Sequence, residues 1–364
     1  MSVLTLPAQP GQDTAPRPLP WRRMAWVTWR QQRATLISVP AVLGAVAIFL
    51  VIFGLKVHRD YAALVHCPLV GSSPNESQTC VQLFSHFNST DWPLGNTCAI
   101  LISLAPVLIG AFAGAPLLAR ELETGTYRYA WTQGFGRERQ VIAKLTLVGL
   151  TLAVLAGAFG ELFAWFFQPF LYTEGLNVLT ETVFSARGLV FPAFTLAAFA
   201  IGAFFGMLLR RIIPAMAATL GVYLAVRLAA WGVRKYYPVA VVTSNSKIFS
   251  QFPTPNLPGD PWILSTWVTG PGGKPVSQSV ANRILNGLGL STGASGPRAG
   301  ASGPRTGVPG PSSGASLPPG YTEWNRWIPL SHYWPMQFIE AGWLLVLSVA
   351  FFAATVSLVR RRAA

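Results

Sequence analysis

Charged side chains that could do work are few in this chain, and they fall into two groups. The first is a cytoplasm-type loop, Ala119–Leu145, which packs Arg120, Glu121, Glu123, Arg128, Arg137, Glu138, Arg139 and Lys144 between two apolar runs. The two carboxylates Glu121 and Glu123 on a short polar helix, with several cations beside them, suit docking to a groove on a soluble partner, where charge fixes register and orientation. Acidic residues contribute little to membrane topology, so a loop serving only to anchor orientation would not need them. The second group is Glu161, Arg227 and Glu340, the ionisable residues most clearly inside apolar runs. A charge at that depth is costly unless paired or hydrated. Two readings stand: Arg227 pairs with Glu161 or Glu340 beside the exit of a translocation path, or each side chain snorkels to the outer interface.

Cysteine and histidine chemistry is sparse. Cys67 and Cys80 share one predicted outer loop, and a disulfide closing it suits an oxidising exterior, with Cys98 as a competing thiol. His58, His66, His86 and His332 all fall in outer loops at spacings that match no metal-ligand pattern, so no metal site is expected. The absence of a His within any apolar run argues against an intramembrane hydrolase, which needs a buried base or metal ligands. No G-x-x-x-x-G-K-[ST] string occurs; Gly270-Pro271-Gly272-Gly273-Lys274-Pro275 lacks both the spacing and the hydroxyl and reads as a turn.

The elements that must hold these groups follow from composition. Of 364 residues, 51% are hydrophobic and only 11% charged, against about 25% charged in soluble domains. That balance excludes an ordinary soluble enzyme. The net charge of +14 could suggest nucleic acid, but the cations sit between apolar runs, and no nucleic-acid partner is expected. Six runs are long enough to cross a bilayer: Leu36–Leu55, Cys98–Leu118, Val141–Phe167, Gly188–Leu209, Ile212–Trp231 and Met336–Val359. Arg17, Arg22, Arg23, Arg30 and Arg33 precede the first, Arg120, Arg128, Arg137 and Arg139 lie between the second and third, Arg210 and Arg211 join the fourth and fifth, and Arg360 to Arg362 follow the sixth. By the positive-inside rule both termini are cytoplasmic.

The expected architecture is an all-α integral membrane protein. Residues 1–20 read as a disordered, Pro-rich leader without the pattern of a secretory signal, and Met24 is an alternative start. Residues 21–35, rich in Trp and Arg, read as an interfacial amphipathic helix on anionic lipid. Transmembrane helices 1–5 occupy 36–231, with a short polar helix in the coupling loop 119–140 that Gly125 and Thr126 end. Residues 232–335 form an enlarged extracellular segment, and 336–364 the sixth helix and a basic C-terminus. Within the extracellular segment, 289–320 is almost only Gly, Ser, Pro, Ala, Thr and Arg, with GASGPR at Gly293–Arg298 and again at Gly300–Arg305, the composition of a flexible insert. Trp262, Trp267, Trp324, Trp327, Tyr333 and Trp334 flank it, which places the rest against the outer membrane face. Gly110 and Gly114, and Gly202 and Gly206, have the spacing of close helix packing. Pro106, Pro192 and Pro214 are candidate kinks.

Arg120-Glu121-x-Glu123-x-Gly125-Thr126, then Thr132-Gln133, Arg137 and Lys144, together with the leading Trp26-x-x-Trp29-Arg30-Gln31, resemble the permease subunits of ABC exporters of the ABC-2 type. The resemblance covers most of Met24–Arg362. It implies six spans with both ends inside, a connecting helix before the first span and a cytosolic coupling helix between the second and third. It also implies that Arg120, Glu121, Glu123, Gly125, Thr126, Thr132, Gln133, Arg137 and Lys144 meet a separate ATPase subunit, which binds ATP and Mg; this chain holds no cofactor. A second permease copy or a homologue would complete the path in a bacterial plasma membrane, and the charge-poor spans favour a drug-like metabolite or lipid as cargo. The enlarged outer segment departs from the family pattern. A membrane-embedded enzyme using that segment, or a non-transporting scaffold or sensor subunit, are the rival readings, and a partner ATPase separates the first reading from both.

Overall fold

The structure, a computed structural model, describes residues 21–65, 74–125, 137–173, 177–237, 240–245, 262–277, 279–280 and 319–361. Thr126, Thr132, Gln133, Cys67, the leader and nearly all of the low-complexity insert lie outside the described residues.

Among the described residues, six helices are long and apolar enough to cross a membrane, in the predicted order. The first, α1 (Trp21–Val65), is a single helix of 45 residues. The separate surface helix expected over 21–35 is therefore not set apart from the first span. No Gly or Pro interrupts the chain between Trp21 and Val39, and Pro40 is accommodated inside the helix. At 1.5 Å per residue α1 is about 67 Å long, roughly twice the hydrocarbon thickness, so it must extend beyond the bilayer.

The second crossing is built from α2 (Pro74–His86), α3 (Trp92–Ile109) and α4 (Ala115–Glu123), joined through π turns at Phe87–Asp91 and Gly110–Gly114. The polar turn bearing Arg120, Glu121 and Glu123 is thus the end of the second span. It is not a detached helix lying along the membrane, because nothing before Thr124 interrupts the ladder. Gly125, with φ of 69°, ends it. The third crossing is α5 (Arg137–Thr173); a short α6 (Glu181–Ser185) leads into α7 (Val190–Leu209), and α8 (Ile212–Arg234) and α9 (Tyr333–Arg361) complete the set. Pro192 and Pro214 fall in the first turns of α7 and α8, where a missing N–H leaves no ladder bond unmade, so they start helices instead of kinking them.

The fourth span is the most buried and the first the least. Close approach of α7 to the second crossing depends on both glycine pairs, which meet each other. A Cβ on Gly202 would stand 2.3 Å from the Gly110 carbonyl oxygen, and one on Gly206 2.4 Å from that of Ala115. Gly110 and Gly114 are equally closed, at 2.5 Å and 2.7 Å from the carbonyls of Ala198 and Phe199. The packing expected of G-x-x-x-G thus joins these two spans, at a π turn one helical turn beyond Pro106. On α5, Phe163, Phe166, Phe167 and Phe170 pack towards Phe87 and Trp92 and form an aromatic seam.

The segment between α8 and α9 adds a small sheet to the helical body, an element that composition did not reveal. Its strands, β1 (Val241–Asn245), β2 (Trp262–Thr269) and β3 (Thr322–Ile328), are antiparallel in the order β1-β3-β2. Trp267 pairs with Trp324 across β2 and β3, their rings parallel within 4° at 6.3 Å, and Trp324 Nε1 donates to Thr269 Oγ1 at 3.0 Å. Ile328, fully buried, joins Trp262, Leu264, Tyr237, Tyr333 and Trp343 in a core shared with α7, α8 and α9. The bundle therefore has a sheet end and, opposite it, a basic end where Arg120, Arg210, Arg211 and Arg360 lie.

Candidate functional site

At the basic end, both carboxylates of the predicted docking segment turn to helices of this chain. Glu121 forms an ion pair with Lys144 of α5, whose side chain is only 1% exposed. An ammonium at that burial is tolerable only with a counter-charge, and Glu121, one-quarter exposed, supplies it from the end of α4. Glu123 Oε2 accepts the backbone N–H of Ile212 at 3.2 Å, at the N-terminus of α8. That helix start lacks a cap from its own Arg211, and its positive end favours a carboxylate. The turn preceding it is tight: Arg210 adopts φ of 57° and its N–H bonds to the Gly206 carbonyl, ending α7. Glu138 of α5 pairs with Arg360 of α9 at 2.9 Å.

The last turn of α4 is thus tied to the third and fifth spans, and the third to the sixth. A small cleft lined by Leu118, Glu121, Leu122, Gln140, Lys144 and Met207 lies beside the Glu121–Lys144 pair. Arg120 is exposed at the helix end, and Thr124 Oγ1 donates to its carbonyl. Arg137 opens α5. Glu121 and Glu123 are accordingly brackets within the chain, whereas Arg120 forms no ion pair among the described residues.

The charges at the sheet end are paired differently from either sequence expectation. Arg227 contacts Glu181 of α6, at 3.1 Å, and donates to Ser185 Oγ at 2.6 Å; it pairs with neither Glu161 nor Glu340. Glu340 instead holds Arg234 through two parallel bonds, Nε to Oε2 at 2.9 Å and Nη2 to Oε1 at 2.6 Å, with both side chains essentially without solvent contact. The remaining Arg234 nitrogen, Nη1, lies 2.5 Å from Glu181 Oε2. Two guanidiniums and two carboxylates so form one neutral chain, Glu340–Arg234–Glu181–Arg227. Phe184 lies under Arg234 and Phe194 under Arg227, at 4.4 Å and 4.8 Å from the ring centres. Glu161 is exposed on α5 and forms no ion pair among the described residues.

Arg234 and Glu181 escaped sequence reasoning because neither lies inside an apolar run: Arg234 is just past the end of the fifth, and Glu181 is in the connection between the third and fourth. The signal was present: Arg227 and Arg234 are seven residues apart, two helical turns, and so share a face. Asp91 was also missed; it is fully buried in the first π turn and accepts from Lys56 of α1 at 2.6 Å. Gln337 of α9, buried, accepts from the Val190 N–H at 3.0 Å and donates to the Phe184 carbonyl at 3.1 Å, which fixes the start of α7. Beyond the spans, burial raises the Tyr237 phenol above its ordinary range; the Glu340 charge adds to this, while the bond donated by Trp343 Nε1 at 2.8 Å opposes it.

Cys80 is disulfide-bonded and Cys98 carries a free thiol. Among the described residues no cluster of three His, Cys, Asp or Glu side chains could hold a metal ion. The constellation is one of ties between helices, suited to transmitting or resisting displacement.

Comparison with the curated proteins and with the solved structures returns no match. A family model described as ABC-2 membrane transporter related matches residues 40–234, from inside α1 to the last residue of α8. The match takes in both glycine pairs, the Glu121 and Glu123 ties and the two arginines, and stops before the sheet. Six apolar crossings and a match over more than half of the sequence place this chain in the ABC-2 membrane transporter related family, as a multi-pass permease component of an ABC transporter.

Proposed function

We propose that the chain is the permease subunit of an ATP-driven exporter in a bacterial plasma membrane, with its basic end in the cytoplasm. A separate ATPase subunit binds ATP and Mg and engages the loop that follows Glu123; a second copy or a homologue completes the path. The cargo is a hydrophobic or amphipathic small molecule or lipid. The observation that carries this reading, beside the family, is the double tie at the end of α4. A push on the loop reaches the third span through Glu121–Lys144 and the fifth through Glu123 and Ile212 N–H. Glu121 and Glu123 then act as positioning residues for the ATPase contact.

Co-expression with candidate ATPases, followed by pull-down and transport in vesicles, tests it. The expected result for Glu121→Ala and Glu123→Ala is that the ATPase is still captured while cargo moved per ATP hydrolysed falls several-fold. Unchanged transport with normal capture overturns the role of the ties, and failure of every ATPase to be captured by the wild-type chain overturns the permease reading itself.

A further inference from the structure

The four-charge chain at the sheet end is asymmetric, and the asymmetry has chemical content. Arg234 and Glu340 are closed to solvent and joined by two well-formed bonds. Arg227 and Glu181 are respectively 17% and 28% exposed, and neither carboxylate oxygen of Glu181 makes a hydrogen bond of good geometry although both are buried atoms. Arg234 therefore keeps its counter-charge whether or not Glu181 is present. Arg227 does not, since its other partner, Ser185, is neutral and is itself bonded to the Glu181 backbone carbonyl. Glu181 sits on the five-residue α6 and faces Arg227 at 3.1 Å and Arg234 at 2.5 Å as ion pairs, without a hydrogen bond of good geometry to either.

Two further features surround the same guanidinium. Tyr223, one turn before Arg227 and 2% exposed, has a hydroxyl with no hydrogen-bond partner, within electrostatic reach of both Arg227 and Glu181. Around α8, Arg227 stands only about 20° from Leu220 and about 40° from Trp231, at 100° per residue. Both of those side chains are exposed, as is Leu224 between them, so the cation borders an open apolar stripe.

The geometry points to Arg227 as the headgroup site for an anionic amphiphile, one carboxylate or phosphate on an apolar tail, with Glu181 as the internal carboxylate that such a ligand displaces. The headgroup replaces Glu181 charge for charge, so the cluster stays neutral, and Tyr223 gains an acceptor. The tail lies along Leu220 and Leu224, and the displaced Glu181, on a side chain 28% exposed, turns its carboxylate outward and becomes hydrated. This names the chemistry of the amphipathic cargo and rests on that reading for its place in transport, but the binding itself does not need the ATPase.

The test uses the full chain alone in phosphatidylcholine nanodiscs, with oleate as probe and oleyl alcohol as its uncharged control. Glu181→Gln removes the competing carboxylate and should tighten oleate about tenfold, the factor expected if Glu181 fills the site some nine-tenths of the time, and leave oleyl alcohol unchanged. Arg227→Gln should weaken oleate at least tenfold, and Arg227→Lys, which keeps the charge, should weaken it less; each variant must elute as wild type does. Repeating the titration in phosphatidylglycerol nanodiscs identifies the source. Competition with oleate assigns the site to bilayer lipid, and its absence assigns it to a free amphiphile. Unchanged or weaker oleate binding in Glu181→Gln overturns the proposal, as does equal tightening for oleyl alcohol. Because no nucleotide or partner is present, either result stands apart from failure of the exporter reading, which the ATPase capture measures.

Discussion

The buried Arg234–Glu340 pair makes an unequal prediction for its two members. Removing the charge of Glu340 as Glu340→Gln leaves Arg234 with Glu181 at 2.5 Å, and the new amide can still accept one bond. The loss is that of one charged hydrogen-bond partner, about 2 kcal/mol. Removing Arg234 as Arg234→Gln strands Glu340, which has no exposure, and leaves Glu181 with Arg227 alone. An uncompensated buried charge costs about 3–5 kcal/mol. The arginine variant should thus be the less stable by about 1–3 kcal/mol, and Arg234→Met with Glu340→Leu should recover most of the loss by deleting both charges. Reversible unfolding in mixed micelles, followed by tryptophan fluorescence with all variants at one lipid-to-detergent ratio, gives the differences. Equal losses in the two single variants, or a double variant no better than Arg234→Gln, would refute the claim that this pair is held in low dielectric.

Three further outcomes follow from contacts elsewhere. Gly202→Ala, with its Cβ 2.3 Å from the Gly110 oxygen, should destabilise by about 1–3 kcal/mol, whereas Gly221→Ala, with nothing within 4 Å, should be neutral or stabilising by up to about 1 kcal/mol; the same unfolding assay compares them. Glu121→Gln, which removes the counter-charge of the buried Lys144, should cost about 3 kcal/mol, and more than Lys144→Met, after which the partly exposed Glu121 still reaches water. Maleimide labelling in denaturant should modify one thiol per chain before reduction and three after it, since Cys80 is bonded and Cys98 is free; two or three thiols before reduction would contradict the disulfide.

Sequence alone carried the count and order of the crossings because the bilayer imposes a single long period of apolar residues that no local detail can hide. It carried the glycine pairs for a similar reason, since only a missing Cβ permits backbone carbonyls of the second crossing and α7 to come so near. It did not carry partners. Charge at a span end reads alike whether it faces a soluble protein or bends back onto a neighbouring helix, and Glu121 and Glu123 do the second. Arg227 likewise had three carboxylates in reach on paper once Glu181 is counted, and only the fold of the connection after α5 brings that one in. The sheet was hidden because no short hairpin turn joins its paired strands. Between the end of β2 at Thr269 and the start of β3 at Thr322 lies the low-complexity stretch, which has no period of its own to signal the pairing.

The two ends of the bundle also differ in what they allow to move. The second crossing and α7 touch backbone to backbone along two turns, so neither can slide or rotate against the other without collision. By contrast, α1 and α8 bury the least of their length and keep wide apolar faces open. In the proposed exporter, displacement of the α4 end therefore carries α7 with it as one block. The motion is taken up where burial is low, at α8, whose N-terminus is held by Glu123 and whose C-terminal half carries Arg227 and Arg234. A shift of α8 transmitted from its basic end must strain the Arg227–Glu181 contact before the closed Arg234–Glu340 pair, because the former is the more exposed and the less well bonded. Export and headgroup exchange would then share one mechanical element, and loosening it in Glu181→Gln should raise the basal ATPase rate of the assembled complex while leaving its capture of the ATPase unchanged.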